Sequence, residues 1–463
     1  MGDANFQLNE HSNPWHNSIK DITWGFIFTM MTFNFRGLQY ILPIIGAGLL
    51  YIGFYDLRKE NRELNSAWIF SIINMLANIL SLIYGNTPLS VNFRNNTIMI
   101  IALTVFHVSF LIVFRKGLKK VFEKGDIRPR KDPILRMIIW RVSILVFAIT
   151  ELGKLWFISI PVILFYFYNF ILLYKVCKEL EKVKFENLDN DVRLKSKNHV
   201  LRYIIGCIFI FILCSLVSNH IRLNSEEFTF SKTSQTRDML VNMGFPEEII
   251  KDISDSEVDM LKDAIYVDVS SEMLMFDSKE KTVKEKRNVY ETIQKPGKIN
   301  LKSTIIYVEL KDDSMYGIEY FQWVGGNAYW HDGFKITGSE KLELINGKLL
   351  YEKNGTNYSA AIPRLKNEII SGKDWFGNEN KFKAIAGAVN YPFGSDNQRG
   401  YVFYRLDMRD RVWTGKNILN YIHYRSPFRS PYEETEKKNL MFDNKLRQHS
   451  FNFRTKAFRE AND

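Results

Sequence analysis

Apolar residues come in long runs over the first half of the chain and alternate with polar ones over much of the second. Residues 37–55, 67–85, 97–114, 137–150, 155–174 and 203–219 are apolar with few interruptions. Stretches near the ~20 residues of a bilayer-crossing helix predict six membrane spans. A shorter run, 22–34, precedes them and is separated by Arg36. It predicts an interfacial or re-entrant segment, or a short first helix, with Trp15 and Trp24 as headgroup anchors. The bundle therefore has six or seven spans, and the short run decides only the side of the N-terminus. Residues 1–21 are polar with Lys20 the sole basic residue. That is not the charged start of a secretory signal, so no cleavage is expected.

The pattern changes after the helical region, 22–220. Residues 225–278 hold 13 Asp or Glu against 4 Lys or Arg. Gly244 stops a helix over 233–243, Pro246 opens another over 247–253, and Ser254 with Glu257 forms a capping box for 255–264. Three short helices are expected, forming an acidic stalk above the membrane. Met243-Gly244-Phe245 resembles the loop of ubiquitin-associated three-helix modules; an exported domain has no ubiquitin to meet, and the spacer reading stands. A charged linker, 279–300, ends in Pro296-Gly297. A period of two then sets in over 301–406, with strand-like runs at 304–310, 315–324, 382–389 and 399–406. Asn346-Gly347 and Asn354-Gly355 each suit the type I′ turn of a two-residue hairpin within a meander over 342–362. At least seven strands predict an antiparallel β-sheet, folded as a sandwich or open barrel. From 407 to 463 the pattern fades. Residues 416–424 read as a helix, and Pro427, Pro431 and the charges of 433–438 predict a charged, partly disordered tail. The expected fold is a multi-pass α-helical membrane bundle followed by an extracytoplasmic α+β region dominated by an antiparallel sheet.

Charge supplies the orientation. The chain carries +11, and residues 221–463 hold 37 basic and 36 acidic residues, so the first 220 hold 25 and 15, or +10. That excess sits in three loops between apolar runs. Residues 115–136 alone contain nine Lys or Arg. Loops of this kind stay on the cytoplasmic side of a plasma membrane, which places the C-terminal domain outside. Charge localised in this way is topology signal, so nucleic acid is not expected as a partner. Cys177, Cys207 and Cys214 all precede residue 220, leaving no disulfide framework for the exterior half. Heavy use of Lys, Ile, Asn, Phe and Tyr resembles bacteria of low GC content.

Few residues point to chemistry. Asn74 and Asn78 share a helix face, and His107 lies mid-way along the next span. Polar groups at such depth either hydrogen-bond neighbouring helices or line an ion or proton path. Without an intramembrane Asp or Glu, packing is the plainer reading. Arg141, one turn into its span, can snorkel to the inner surface. In the exterior half Trp330-His331-Asp332, with Trp323 on the preceding strand, is the densest cluster. It suits either a sugar or peptide site or a hairpin turn whose indoles fill the core. Trp375 carries the same two readings, and Glu319 with Asp332 is a candidate carboxylate pair. No catalytic, metal or cofactor motif is present, and no cofactor is expected. The layout suggests an envelope sensor or accessory subunit in signalling. Its β domain would bind an envelope ligand or partner protein, and its basic loops would face a cytoplasmic signalling partner. The alternatives are a transporter or a transport or immunity factor worked by the bundle, and an envelope enzyme using His331 and Asp332.

Overall fold

The computed structural model describes residues 14–30, 38–92, 97–127, 131–150, 156–180, 190–230, 233–277, 280–284, 290–294, 297–338, 341–373, 379–407, 414–437 and 445–460. The chain divides into two compact units. One is helical, residues 1–215 with 430–432; the other is β-rich, residues 216–429 with 433–463.

The helical unit contains α1 (Pro14–Met30), α2 (Leu38–Leu57), α3 (Arg62–Gly85), the short α4 (Leu89–Asn92), α5 (Thr97–Lys124), α6 (Pro133–Ile149), α7 (Trp156–Leu180) and α8 (Asn190–Ser218). Among the described residues, four helical stretches are long and apolar enough to cross a membrane: Leu38–Leu57, Arg62–Gly85, Ile100–Lys124 and Lys195–Ser218. The stretch Ile160–Val176 of α7 is apolar but shorter. Capping sets the helix starts. Asn61 accepts the Leu64 N–H at 2.8 Å, and Asp132 accepts that of Leu135 at 2.9 Å just ahead of Pro133.

The first apolar run is a helix, the third of the readings its length left open, and it starts earlier than the run itself. Trp15, Ile19, Ile22, Phe26 and Met30 recur at helical spacing and are all buried, so α1 is a core helix of the bundle. Trp15 is no headgroup anchor, although Trp24, on the opposite face, is 47% exposed. A Cβ added at Gly25 would lie 2.9 Å from the Gly46 carbonyl oxygen, and one at Gly53 2.7 Å from that of Ser18. Residues before Gly25 thus meet residues after Gly46, which makes α1 and α2 antiparallel. Glycine lets their backbones touch.

The β-rich unit contains β1 (Ser225–Glu227), α9 (Gln235–Asn242), α10 (Glu247–Ile250), α11 (Asp255–Asp259), β2 (Ala264–Met275), β3 (Glu280–Lys284), β4 (Tyr290–Gln294), β5 (Asn300–Leu310), β6 (Met315–Gly325), β7 (Asp332–Gly338), β8 (Lys341–Lys353), β9 (Thr356–Ala361), β10 (Lys366–Lys373), β11 (Glu379–Val389), β12 (Asp396–Asp407), β13 (Thr414–Ile422), β14 (Leu446–Arg454) and α12 (Lys456–Glu460). Among the described residues, seven strands form one sheet in the order β1-β9-β8-β12-β6-β5-β2, and five form another in the order β10-β11-β7-β13-β14. Every pairing is antiparallel. The two sheets face each other across a shared core that includes Ile305, Phe321 and Val402 from one and Phe334, Ile385 and Leu419 from the other.

The segment read as a stalk is instead a layer of this domain. Leu240, Phe245, Ile249, Ile253 and Val258 pack against Ile306, Val308, Ile318 and Phe403 on the outer face of the seven-stranded sheet. Both faces of β5 are therefore covered, which is why residues 304–310 are apolar almost without alternation. The linker expected at 279–300 contains the antiparallel pair β3 and β4. The region expected to be a disordered tail supplies β13 and β14, and the helix expected at 416–424 is mostly β13. Tyr421 faces the sandwich core, so two-residue alternation prevailed over helix propensity there.

The two Asn-Gly pairs behave differently. Asn354 and Gly355 have φ of 53° and 78° and turn β8 into β9, as a type I′ hairpin requires. Asn346-Gly347 lies inside β8, where the register against β12 shifts between Phe403 and Tyr404 and leaves Ile345 as the extra residue of a bulge. The Asn346 side chain donates to Glu257 at 2.7 Å, which ties α11 to the strand at the bulge.

Candidate binding cleft

At one end of the sandwich, where β2, β6 and β13 finish and β7 begins, a buried carboxylate organises several side chains. Asp332 opens β7 and is fully buried. Its Oδ2 receives the Nδ1–H of His423 at 2.8 Å, and its Oδ1 receives the backbone N–H of Tyr424 at 2.6 Å. The Tyr421 hydroxyl approaches Oδ2 at 3.4 Å. These donors offset the burial of the carboxylate. The bond to Nδ1 fixes the imidazole and leaves Nε2 without a protein partner among the described residues. Trp323 packs against the His423 ring with centroids 4.6 Å apart, and Phe276 lies 5.2 Å from it.

His423 lines a cleft of roughly 400 Å³ together with Phe276, Asp277, Arg425, Ser426, Phe428, Arg429 and Lys445. Its walls are basic. Arg429 and Lys445 lie over the Tyr424 ring at 4.0 and 4.3 Å, so one aromatic face positions two cations. Arg425 donates to the Phe276 carbonyl at 3.1 Å. Among the described residues Asp277 is the one carboxylate lining the cleft, and it accepts the N–H groups of Lys298 and Ile299 at 2.9 and 3.1 Å. Desolvation pushes its pKa upward, but these two amides and Arg425 outweigh that and hold it below the ordinary aspartate value. Three cations beside an ordered imidazole, which can donate from Nε2 only in its charged form, suit an oxyanion of phosphate or carboxylate type.

The structure thus brings Trp323 and Asp332 together and adds His423, Arg425, Arg429 and Lys445, which sequence reasoning passed over. The available signal was the alternation of Tyr421 with His423, lost once this stretch was read as a helix. His331 belongs elsewhere. Its Nε2 meets Glu436 at 2.9 Å, and Arg364 reaches the same carboxylate at 3.2 Å. Burial works to raise the Glu436 pKa, but His331 and Arg364 hold it at about 2, while burial lowers that of His331. Trp330 packs against the half-exposed Phe393 at 5.2 Å. Trp375 lies outside the described residues. Glu319 makes no pair with Asp332; it is buried in the sandwich core, takes a hydrogen bond from Tyr404 at 3.2 Å, and is pushed up by desolvation to about 8.

In the helical unit Asn74, Asn78 and His107 line one cavity of roughly 530 Å³ with Arg141. Asn78 donates to the Pro43 carbonyl at 3.3 Å. Nη2 of Arg141 meets Nδ1 of His107 at 3.1 Å. Arg141 was expected to reach toward the basic end of α6; it turns inward because His107 supplies an acceptor there. Among the described residues, no group of three or more His, Cys, Asp or Glu is arranged to hold a metal ion.

No protein-family model and no curated protein matches the chain. Among solved structures, the chain aligns with the collagen-binding domain from a Staphylococcus aureus adhesin at 11% identity, covering 30% of this chain and 90% of that one, with a TM-score of 0.18. It aligns with the S. aureus collagen adhesin at 9% identity, covering 41% and 83%, with a TM-score of 0.16. AvmM, which catalyses macrocyclization in alchivemycin A biosynthesis, aligns at 14% identity over 30% and 79%, with a TM-score of 0.18. TM-scores this low bear on neither fold nor function.

Proposed function

We propose that this chain is a multi-pass plasma-membrane protein that presents an extracytoplasmic β sandwich, and that the cleft at His423 takes a phosphate or carboxylate group of an envelope ligand. The protein then serves as an envelope sensor or accessory subunit in signalling. The observation that carries the reading is the Asp332–His423 pair opening onto a basic cleft. The helical half supports the location. Leu80, Phe209 and Val217 are 65%, 65% and 68% exposed on helices long enough to span, and such outward apolar faces require an apolar solvent. With α1 antiparallel to α2, seven crossings put the N-terminus on the side of the basic loops and the sandwich on the other.

Two measurements test this. Single cysteines at Glu343 and Lys119, in a chain lacking Cys177, Cys207 and Cys214, are exposed to a membrane-impermeant thiol reagent on intact cells. Labelling of the Glu343→Cys chain alone supports the topology, and labelling of the Lys119→Cys chain alone inverts it. For the cleft, inorganic phosphate and acetate are titrated calorimetrically into the full chain in detergent. His423→Ala and Arg425→Gln are each expected to weaken binding about tenfold, the scale of one charge-assisted hydrogen bond. Unchanged binding in both variants refutes the assignment.

A hydrolase would also use an Asp–His pair as a general base. Ser426 lines the cleft, but its Oγ accepts the Phe428 N–H at 3.2 Å. Among the described residues it makes no bond to His423, so binding is the favoured reading.

A further inference from the structure

The cavity in the helical unit contains an imbalance that packing alone does not explain. It is bounded by the end of α1 (Thr29, Met30), the start of α2, the second half of α3, the first half of α5, and Arg141 of α6. Nε of Arg141 and Nδ2 of Asn74 are both buried and without a hydrogen-bond partner among the described residues. Asn74 is only 5% exposed. Both atoms are donors. The contact between Arg141 and His107 requires the imidazole Nδ1 to act as the acceptor, so it brings no negative charge. Among the described residues, no Asp or Glu lines the cavity. A guanidinium in a membrane interior is expensive unless paired, and unfilled donors add to that cost.

We infer that this cavity is a binding site for an oxyanion, a phosphate or carboxylate group held by Arg141 and Asn74. The guanidinium fork matches two oxygens of either group, and the Asn74 amide supplies a further donor. The position of the cavity fits a ligand from the outer side. It meets α5 at Leu103 and His107, about 12 Å along the helix axis from Arg115, where the basic stretch begins. That end faces away from the basic loop and, under the positive-inside rule, toward the outer leaflet. Leu80 and Leu103 at its margin are 65% and 36% exposed, so the cavity is accessible from the flank of the helices. Two sources share the chemistry: the phosphate of an anionic lipid headgroup, and a small soluble phosphate or carboxylate.

The test uses the full chain in detergent, followed by native mass spectrometry with added phosphatidylglycerol or phosphatidylcholine, and by thermal unfolding with inorganic phosphate or acetate. Retention of phosphatidylglycerol over phosphatidylcholine identifies a lipid headgroup; stabilisation by phosphate or acetate without lipid retention identifies a soluble anion. Arg141→Gln is expected to weaken either effect ten- to a hundredfold, on the scale of a lost charge-assisted hydrogen bond or two. Asn74→Ala removes a donor that has no protein partner, so the fold is retained while affinity falls several-fold. The His423→Ala chain binds as the wild type does at this site, which separates it from the cleft of the β domain. Failure of both anion types to bind or stabilise the wild-type chain overturns the inference. So does binding that is unchanged in Asn74→Ala and in whichever Arg141 variant folds.

Discussion

Replacing Glu319 by Gln isolates one carboxyl group whose protonation is linked to folding. Glu319 points from β6 into the space between the sheets, beside Tyr404, which in turn receives the Asn417 amide at 2.9 Å. Its Oε2 has no hydrogen-bond partner among the described residues. Desolvation raises its pKa from 4.5 to about 8. A group whose folded pKa is raised binds more protons in the folded state between those two values. Its contribution to stability is therefore complete below 4.5 and is lost progressively as pH rises toward 8. Each pH unit in that window costs about 1.4 kcal/mol, for a total on the order of 5 kcal/mol. A glutamine side chain keeps the shape of the neutral acid and does not titrate. The assay is urea unfolding of the full chain in detergent, followed by the circular dichroism of the β-sheet at several pH values. The difference between Glu319→Gln and wild type should grow in favour of the variant by about 3 kcal/mol from pH 5 to pH 7. The difference is the proper observable, because His449 acts in the opposite direction below pH 6.5 and the two nearly cancel in the wild type. Parallel pH profiles for the two proteins would show that Glu319 is solvated or ionised in the folded state and would refute the argument.

Other perturbations read different parts of the same domain. His449 is buried between the hydroxyls of Ser270 and Ser303, at 3.1 and 2.8 Å, and burial lowers its pKa to about 4. The unfolded chain then binds the extra proton between 4 and 6.5, so wild type should lose stability relative to His449→Gln as pH falls through that range in the same unfolding assay. Arg399 clamps Asp252 through two bonds of 2.7 and 2.9 Å, with Tyr320 adding a third at 2.8 Å. Arg399→Met should cost about 3–5 kcal/mol by leaving a buried carboxylate underpaired, and adding Asp252→Asn should restore part of it; protease sensitivity at α9 to α11 measures the loss. A Cβ at Gly317 would fall 2.3 Å from the Tyr404 ring. Gly317→Ala should lower the urea midpoint by the equivalent of about 1–3 kcal/mol or more through overpacking.

What the sequence revealed of this molecule depended on whether the deciding contact was local. The strand pair β5 and β6 was legible as two β-branched and aromatic runs on either side of a polar turn, whereas the need for a second layer on β5 was written in the unbroken apolar run Ile305, Ile306, Tyr307 and Val308. Ile306 and Val308 demand an apolar partner outside the sandwich, and Leu240, Phe245, Ile249 and Val258 in the supposed stalk supply it. Acidic surface residues on those helices hid that face, since net charge says nothing about which side of a short helix is buried. The turn at Asn354-Gly355 and the bulge at Asn346-Gly347 share one dipeptide, and the bulge is held by a bond from Asn346 to Glu257, 89 residues away. The cleft follows the same rule. Asp332 was noticed, but its partner His423 is 91 residues distant in the chain: β13 pairs antiparallel with β7 through Ile422 and Gly333, which brings the residue after Ile422 beside the residue before Gly333. In the helical half, Asn74, Asn78 and His107 were recognised by depth, because a polar side chain in an apolar run is conspicuous wherever it lies. Arg141 was misjudged for the complementary reason. Its distance from the helix start allowed a path to the basic side, and only the position of His107 on a different helix directs it into the cavity instead.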